Sequence, residues 1–526
     1  MVVISARHLF SSDPMHCKSH PYQPRAHPLD KPAFIMAASG ETVSFGMLEA
    51  RANQGANVLR AEGIKQGEHI AILMENRREM LEACFAADRA GVYYTTISTH
   101  LNKDEIGYIL ADCNARLLVA SDRFLDILPD LAPVCEDLCK VMVVGDNNGS
   151  YANWYKEAVN HKATPIPDEA QGLDMLYSSG TTGRPKGIKW PLENALPGTR
   201  TMLVDLLNNL FGYDHDTCYL CPAPLYHAAP LRHAMVTIKM GGTAVIMDRF
   251  DAETSLRLIE HFKITHSQWV PTMFVRLLKL PEAVRMRYDL STMEMAVHAA
   301  APCPVEIKHE MLAWWGDIIH EYYAGTENNG FSAINSLEWR AHPGSVGRAK
   351  LGVVHICNAD GHEVPIGTTG EIYYENGQQF AYHNDPEETC ACTNAQGWTT
   401  LGDIGRLDED GYLYLTDRKS FLIISGGVNI YPQEAEDTLL SHPAVLDAAV
   451  IGIPHEDFGE AVHAVVQLVP EHENAQGMAE TLMAFCRSKL STLKCPRTIE
   501  FRSTLPRSAT GKMYKRVLRS EYWGKN

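Results

Sequence analysis

The segment LDMLYSSGTTGRPKGIKW (173–190) concentrates chemistry-bearing residues more densely than any other stretch of the chain. An apolar run leads into Ser178, Ser179, Gly180, Thr181, Thr182 and Gly183, and then into Arg184 and Lys186. Glycines let successive backbone N–H groups turn toward one point, hydroxyls add donors, and lysine adds positive charge. The guest that suits this pattern is phosphate. A P-loop of the G-x4-G-K-[ST] type is excluded, because counting from Gly180 puts Pro185 at the second glycine and Gly187 where a Mg2+-binding hydroxyl belongs. A flexible Ser/Thr/Gly surface loop is the ordinary alternative, although such loops rarely pack six small residues between a strand and two cations.

Four further segments follow in order: PLYH (224–227), YAGTE (323–327), GDIGRLDEDGYLYLTDRKSFLIISGGVNIYP (402–432) and PRSATGKMYKR (506–516). Each alone has a bland reading. Thr326 and Glu327 could be a capped turn, Asp403 and Arg418 a solvated ion pair of little consequence, and Lys512 one of many surface lysines. Together with the 173–190 segment they resemble the adenylate-forming (ANL) superfamily, in its acyl- or aryl-CoA ligase branch. The resemblance extends from about residue 25 to 520.

The resemblance implies an ATP-dependent acid:CoA ligase. A carboxylate attacks the α-phosphate of ATP, pyrophosphate leaves, and CoA then takes the acyl group from the acyl-adenylate as a thioester. Bringing two anions together demands preorganised donors and cations. By resemblance, Ser178, Ser179, Gly180, Thr181, Thr182 and Lys186 hold the β- and γ-phosphates. Thr326 donates toward the α-phosphate and the carboxylate, while Glu327 helps hold Mg2+, a hard ion suited to carboxylate and phosphate oxygens. Ala300, Ala301, Glu321, Tyr322 and Tyr323 line the adenine slot, and Asp403 with Arg418 takes the ribose. Lys512 is the adenylation lysine, delivered by a mobile C-terminal domain. Gly426 and Gly427, after Ser425, flank the CoA tunnel once that domain rotates, and Arg249 is a candidate for a CoA phosphate. The hinge position, usually Lys or Asp in the family, is Ser420 here. His227, Trp269, Val270, His298, Ala299 and Tyr322 are expected to line the acid pocket, with His227 also a candidate for catalysis. No lysine, arginine or extra carboxylate is expected to point into that pocket, so the expected acid is mostly apolar: fatty, aryl or ring-bearing.

The elements that must position these residues read as an α/β protein. Short apolar runs at 69–76, 93–98, 115–121, 140–145, 242–247, 264–270, 293–300 and 318–324 alternate with helical spacing, for instance after residue 78, at 252–262 and from Pro304. That alternation predicts doubly wound, mostly parallel sheets covered on both faces. From about residue 344, dense glycine and turn signals predict an antiparallel β portion. The last hundred or so residues carry two strands and a helix near 479–490, enough for a small α+β domain. The expected division is 1–418 for the ATP- and acid-binding domain and 419–526 for the lid.

Composition bounds the partners. The 526 residues carry 47 basic and 64 acidic side chains, a net charge of −17, which disfavours nucleic acid and anionic membrane surfaces as partners. No run approaches a membrane span, and no export signal precedes the domains, so a cytoplasmic protein, monomeric or homodimeric, is expected. Cys218/Cys221 and Cys390/Cys392 lack a second pair at zinc spacing and read as ordinary thiols. Two other readings are compatible with parts of this pattern: an adenylating enzyme that delivers its acyl group to a carrier protein, and a nucleotide-binding relic without catalysis.

Overall fold

The computed structural model describes residues 27–147, 149–178, 185–472, 476–508 and 512–524. It is a mixed α/β protein with a large N-terminal domain and a small C-terminal one. The strand His69–Leu73, four apolar residues behind a buried histidine, is a fully buried inner strand of a parallel six-stranded sheet whose other members include Tyr93–Thr96, Ala115–Ser121, Lys140–Val144 and Leu173–Asp174. Strands buried on both faces have no polar alternation to show, which is why they read as continuous apolar runs.

A nine-stranded sheet packs beside it. Its parallel centre runs from Pro32–Met36 through Thr243–Ile246, Cys218–Cys221, His266–Trp269 and Met295–His298 to Ile319–Tyr323, and antiparallel strands close both edges. Helices cover both faces. Ala252–Phe262 is typical: Asp251 caps it by accepting from the Thr254 N–H at 2.8 Å, and Lys263 ends it in a left-handed turn.

The antiparallel portion comprises Val353–Cys357, Gly370–Glu375, Thr399–Leu407 and Leu413–Arg418. A short 3₁₀ turn, Lys419–Phe421, leads from its last strand into a five-stranded sheet with its own core of Ile423, Leu439, Val450, Ala464 and Leu482. Every cysteine among the described residues is free. No helix among the described residues is long and apolar enough to cross a membrane.

Candidate active site

The site lies where the two domains meet, around a cavity of about 220 Å³ walled by Ala300, Ala301, Tyr323, Asp403, Arg418 and Lys512. Its best-defined corner is built by strand register. Thr399–Leu407 and Leu413–Arg418 run antiparallel with Asp403 opposite Arg418. The Arg418 Nε meets Asp403 Oδ1 at 2.9 Å, and the Tyr323 hydroxyl, from the end of Ile319–Tyr323, donates to Oδ2 at 2.7 Å. Burial and the Asp403 carboxylate hold the Tyr323 phenol well above its usual pKa, so it stays a donor. Each carboxylate oxygen keeps a lone pair for a further hydroxyl. Ala300 adopts a left-handed φ of 74°, uncommon for a residue with a side chain, at the wall of the same cavity.

The phosphate end is built from a hairpin and a turn. Ser178 and Lys186 are register partners on the strands Leu176–Ser178 and Lys186–Lys189; Ser179, Gly180, Thr181 and Thr182 lie outside the described residues. Glu327 Oε1 accepts from the Tyr382 hydroxyl at 3.0 Å and from Ser178 Oγ at 3.4 Å, which ties the hairpin to the 325–327 turn. A Cβ on Gly325 would lie 2.2 Å from Leu401 Cδ1 and 2.7 Å from Glu327 Oε2, so a larger residue there would have to displace both side-chain ends. The Lys186 ammonium pairs with Glu388 and sits 5.1 Å from the Tyr382 ring.

Lys512 enters from the small domain. Its backbone N–H donates to Ser508 Oγ at 3.0 Å, and the adjoining Arg507 forks onto Asp447 at 2.6 and 2.7 Å, anchoring the turn. Burial and the nearby Arg418 bring the Lys512 ammonium down to about 8, against the pull of Asp403 and Glu327. His227 lies on the other side: burial, with His100 and Lys512 nearby, drives its imidazole to about 3, and its buried Nε2 has no hydrogen-bond partner among the described residues. A neutral imidazole, a lysine, an arginine and two carboxylates thus converge. The small domain is clasped in this position by the Gln433 N–H on Asp417 Oδ2 (3.1 Å) and by Lys279 Nζ on the Pro443 carbonyl (3.1 Å).

Other expected residues lie elsewhere. Gly426 and Gly427 form the exposed left-handed turn between Ile423–Ser425 and Val428–Ile430, outside the cavity. Arg249 is exposed, and Ser420 lies exposed in the 3₁₀ turn between the sheets. Trp269, Val270 and His298 do not line an open acid pocket. Trp269 and His298 point into the core layer of Phe274 and Trp315, with ring contacts at 5.4 Å (Trp269–Trp315) and 5.3 Å (Phe274–His298), and Val270 is buried in the same cluster. Glu321 borders the cavity, but its carboxylate is committed to buried Lys308 at 2.5 Å. Tyr322 faces the opposite layer, stacked on Phe331 at 4.9 Å, and also borders the cavity, while Ala299 is buried beside it. Tyr382, Glu388, Asp174 and Arg232 join the site without a local sequence signal, since their contacts span 55 to 202 residues.

Two family profiles match the chain: "AMP-binding enzyme" over residues 21–381 and "AMP-binding enzyme C-terminal domain" over residues 434–512. The long-chain-fatty-acid–CoA ligase FadD13 of Mycobacterium tuberculosis is 28% identical over 500 residues, covering 93% of this chain and 95% of its own. The fatty acid–[acyl-carrier-protein] ligase ScoC of Streptomyces coeruleorubidus is 30% identical over 498 residues, covering 92% of each. Among solved structures, ATP-bound MatB from Rhodopseudomonas palustris superposes with a TM-score of 0.81 at 29% identity, over 94% of this chain and 96% of that one. Apo MatB, over the same shares at 28% identity, gives 0.69.

Proposed function

This chain belongs to the AMP-binding enzyme family and is an AMP-forming acid–CoA ligase; we propose that its acid is mostly apolar and that the residues converging at the domain interface carry the first half-reaction. The observation that supports this most directly is Lys512, half-buried on the cavity wall and electrostatically coupled to Arg418, Asp403 and Glu327.

In the proposed mechanism the free lone pairs of Asp403 accept both ribose hydroxyls of ATP, with Arg418 against the same sugar and the 300–301 backbone and Tyr323 along the adenine. Ser178, Ser179, Gly180, Thr181, Thr182 and Lys186 hold the β- and γ-phosphates. Lys186 gives up Glu388 for them, exchanging one carboxylate for a more highly charged partner. Thr326 donates toward the α-phosphate. A carboxylate flanked by hydroxyl groups suits a hard cation, so Glu327 is the residue that would hold Mg2+, which supplies charge neutralisation at the phosphates. The Lys512 ammonium bridges the α-phosphate and the acid's carboxylate, lowering the repulsion between two anions that must touch. Neutral His227 flanks the acid without adding charge. One carboxylate oxygen bonds to the α-phosphorus as the bond to the bridging oxygen breaks, which gives acyl-AMP and pyrophosphate.

Thioester formation requires space where Lys512 now sits. We assign residues 419–526 to the moving lid, pivoting at Ser420, so that Gly426 and Gly427 replace Lys512 beside the acyl carbonyl. The glycine turn admits the pantetheine arm, and Arg249 is available to a CoA phosphate. The CoA sulfur then bonds to the carbonyl carbon, AMP leaves, and the thiol proton passes to solvent. A pyrophosphate-release panel tests the acid. Medium or long fatty, arylalkanoic and ring-bearing acids should outpace acetate and amino acids. Preference for acetate or an amino acid would overturn the reading. Product formation with an acyl carrier protein but not with free CoA would favour the carrier-protein reading instead, in line with the similarity to ScoC.

A further inference from the structure

Catalysis in the proposed reaction needs two separate pieces of chain to converge on one row of phosphates: the paired strands Leu176–Ser178 and Lys186–Lys189, called the hairpin below, and the turn holding Thr326 and Glu327. Among the described residues, their own side chains meet in the long Ser178–Glu327 bond, at 3.4 Å. A third element joins them more firmly. Arg232 lies on the helix Ala228–Lys239, and its guanidinium is nearly buried, with 12% of the side chain exposed. Its Nη2 and Nε donate to Asp174 Oδ2 at 2.8 and 3.2 Å, its Nη1 donates to the Thr326 carbonyl at 3.3 Å, and its Cζ lies over the Trp190 ring, 4.5 Å from the centroid. Asp174 ends the strand just before the hairpin, and Trp190 immediately follows it.

We propose that Arg232 is a positioning residue that sets the Thr326–Glu327 turn against the phosphate hairpin. One guanidinium grips both ends of the hairpin, through Asp174 and Trp190, and the turn's backbone through the Thr326 carbonyl. The role requires a planar fork. A lysine at this position can satisfy Asp174 as a point charge but lacks the second, rigidly oriented N–H that reaches Thr326 and the flat face that stacks on Trp190. Because Asp174 is itself only 11% exposed, removing the arginine alone strands a buried carboxylate and costs stability whatever the role in catalysis. A stability loss by itself is therefore uninformative, and the variants must separate pairing from positioning. This inference builds on the proposed reaction, and wild-type pyrophosphate release in the same assay establishes that reaction independently.

The test compares Arg232→Lys with the paired apolar variant Asp174→Leu/Arg232→Leu, in the full chain, by melting temperature and by kcat and KM of acid-dependent pyrophosphate release. Positioning predicts that Arg232→Lys keeps the melting temperature close to wild type while kcat falls by roughly 10- to 100-fold, the scale of a small misplacement of reacting groups. The KM for ATP should move less than about threefold, since the adenine and ribose contacts are untouched. The paired variant should regain wild-type melting without regaining kcat. Wild-type kcat in Arg232→Lys, or kcat recovered together with stability in the paired variant, would reduce Arg232 to a buried ion pair and overturn the proposal.

Discussion

Replacing Lys512 by alanine should lower acid-dependent pyrophosphate release by roughly 10²-fold or more, the usual cost of deleting one preorganised donor at a developing charge. The same variant should convert synthetic acyl-adenylate and CoA to thioester at near wild-type rate, because in the proposed cycle Lys512 has left the site by then. Equal loss in both half-reactions would remove the role. The pH profile carries a second signature. Only the ammonium bridges two anions, and burial with the Arg418 charge has brought it down from 10.5 to about 8. The cation is present below that value and lost above it, so kcat/KM for adenylation should fall as pH rises through about 8, since this parameter reports the free enzyme. Lys512→Arg, whose guanidinium stays charged, should be slower but lack that limb.

Asp403→Ala should lower kcat/KM for ATP by roughly 10²-fold, as expected for losing two charge-assisted hydrogen bonds of about 1.5 kcal/mol each to the ribose hydroxyls. The KM for the acid should change little. Arg418 and the Tyr323 hydroxyl lose their shared acceptor as well. Asp403 is also one of the two carboxylates that hold the Lys512 pKa up against Arg418, so its removal should move the alkaline limb below about 8. Steady-state rates across pH, with ATP titrated calorimetrically into both proteins, check the affinity and the limb together. Unchanged ATP affinity would leave Asp403 a structural residue.

Neither residue stands out alone in the sequence; the resemblance carried by the motifs around them nominates both. Asp403 and Arg418 sit fifteen positions apart on neighbouring strands, and Lys512 lies in a turn whose composition sets it apart. The parallel strands were legible directly: Ala115–Ser121 and Thr243–Ile246 are apolar through their centres because both faces are covered. Pocket lining was harder to read. Local sequence does not say which layer each side of a doubly covered strand meets, so Trp269 and His298 read as well placed for an acid while they pack against Phe274 and Trp315. Long-range pairing was not legible at all. Nothing near Arg232 announces Asp174, 58 residues away, and nothing near Lys186 announces Glu388, 202 residues away. Gly55 shows the same limit in the fold, since a Cβ there would come 2.6 Å from the Ala86 Cβ across a helix contact.

A net charge of −17 makes the overall field a poor attractant for ATP or CoA, and the placed cations Lys186, Arg418 and Lys512 must hold them instead. The central claim is that a carboxylate oxygen attacks the α-phosphorus beside Lys512. The most direct test incubates the enzyme with ATP, CoA and a carboxylic acid labelled with oxygen-18 in both carboxyl oxygens, and weighs the products. The account predicts AMP carrying one labelled oxygen, a thioester retaining one, and unlabelled pyrophosphate. Label in inorganic phosphate with ADP as co-product, or AMP without label, would contradict it.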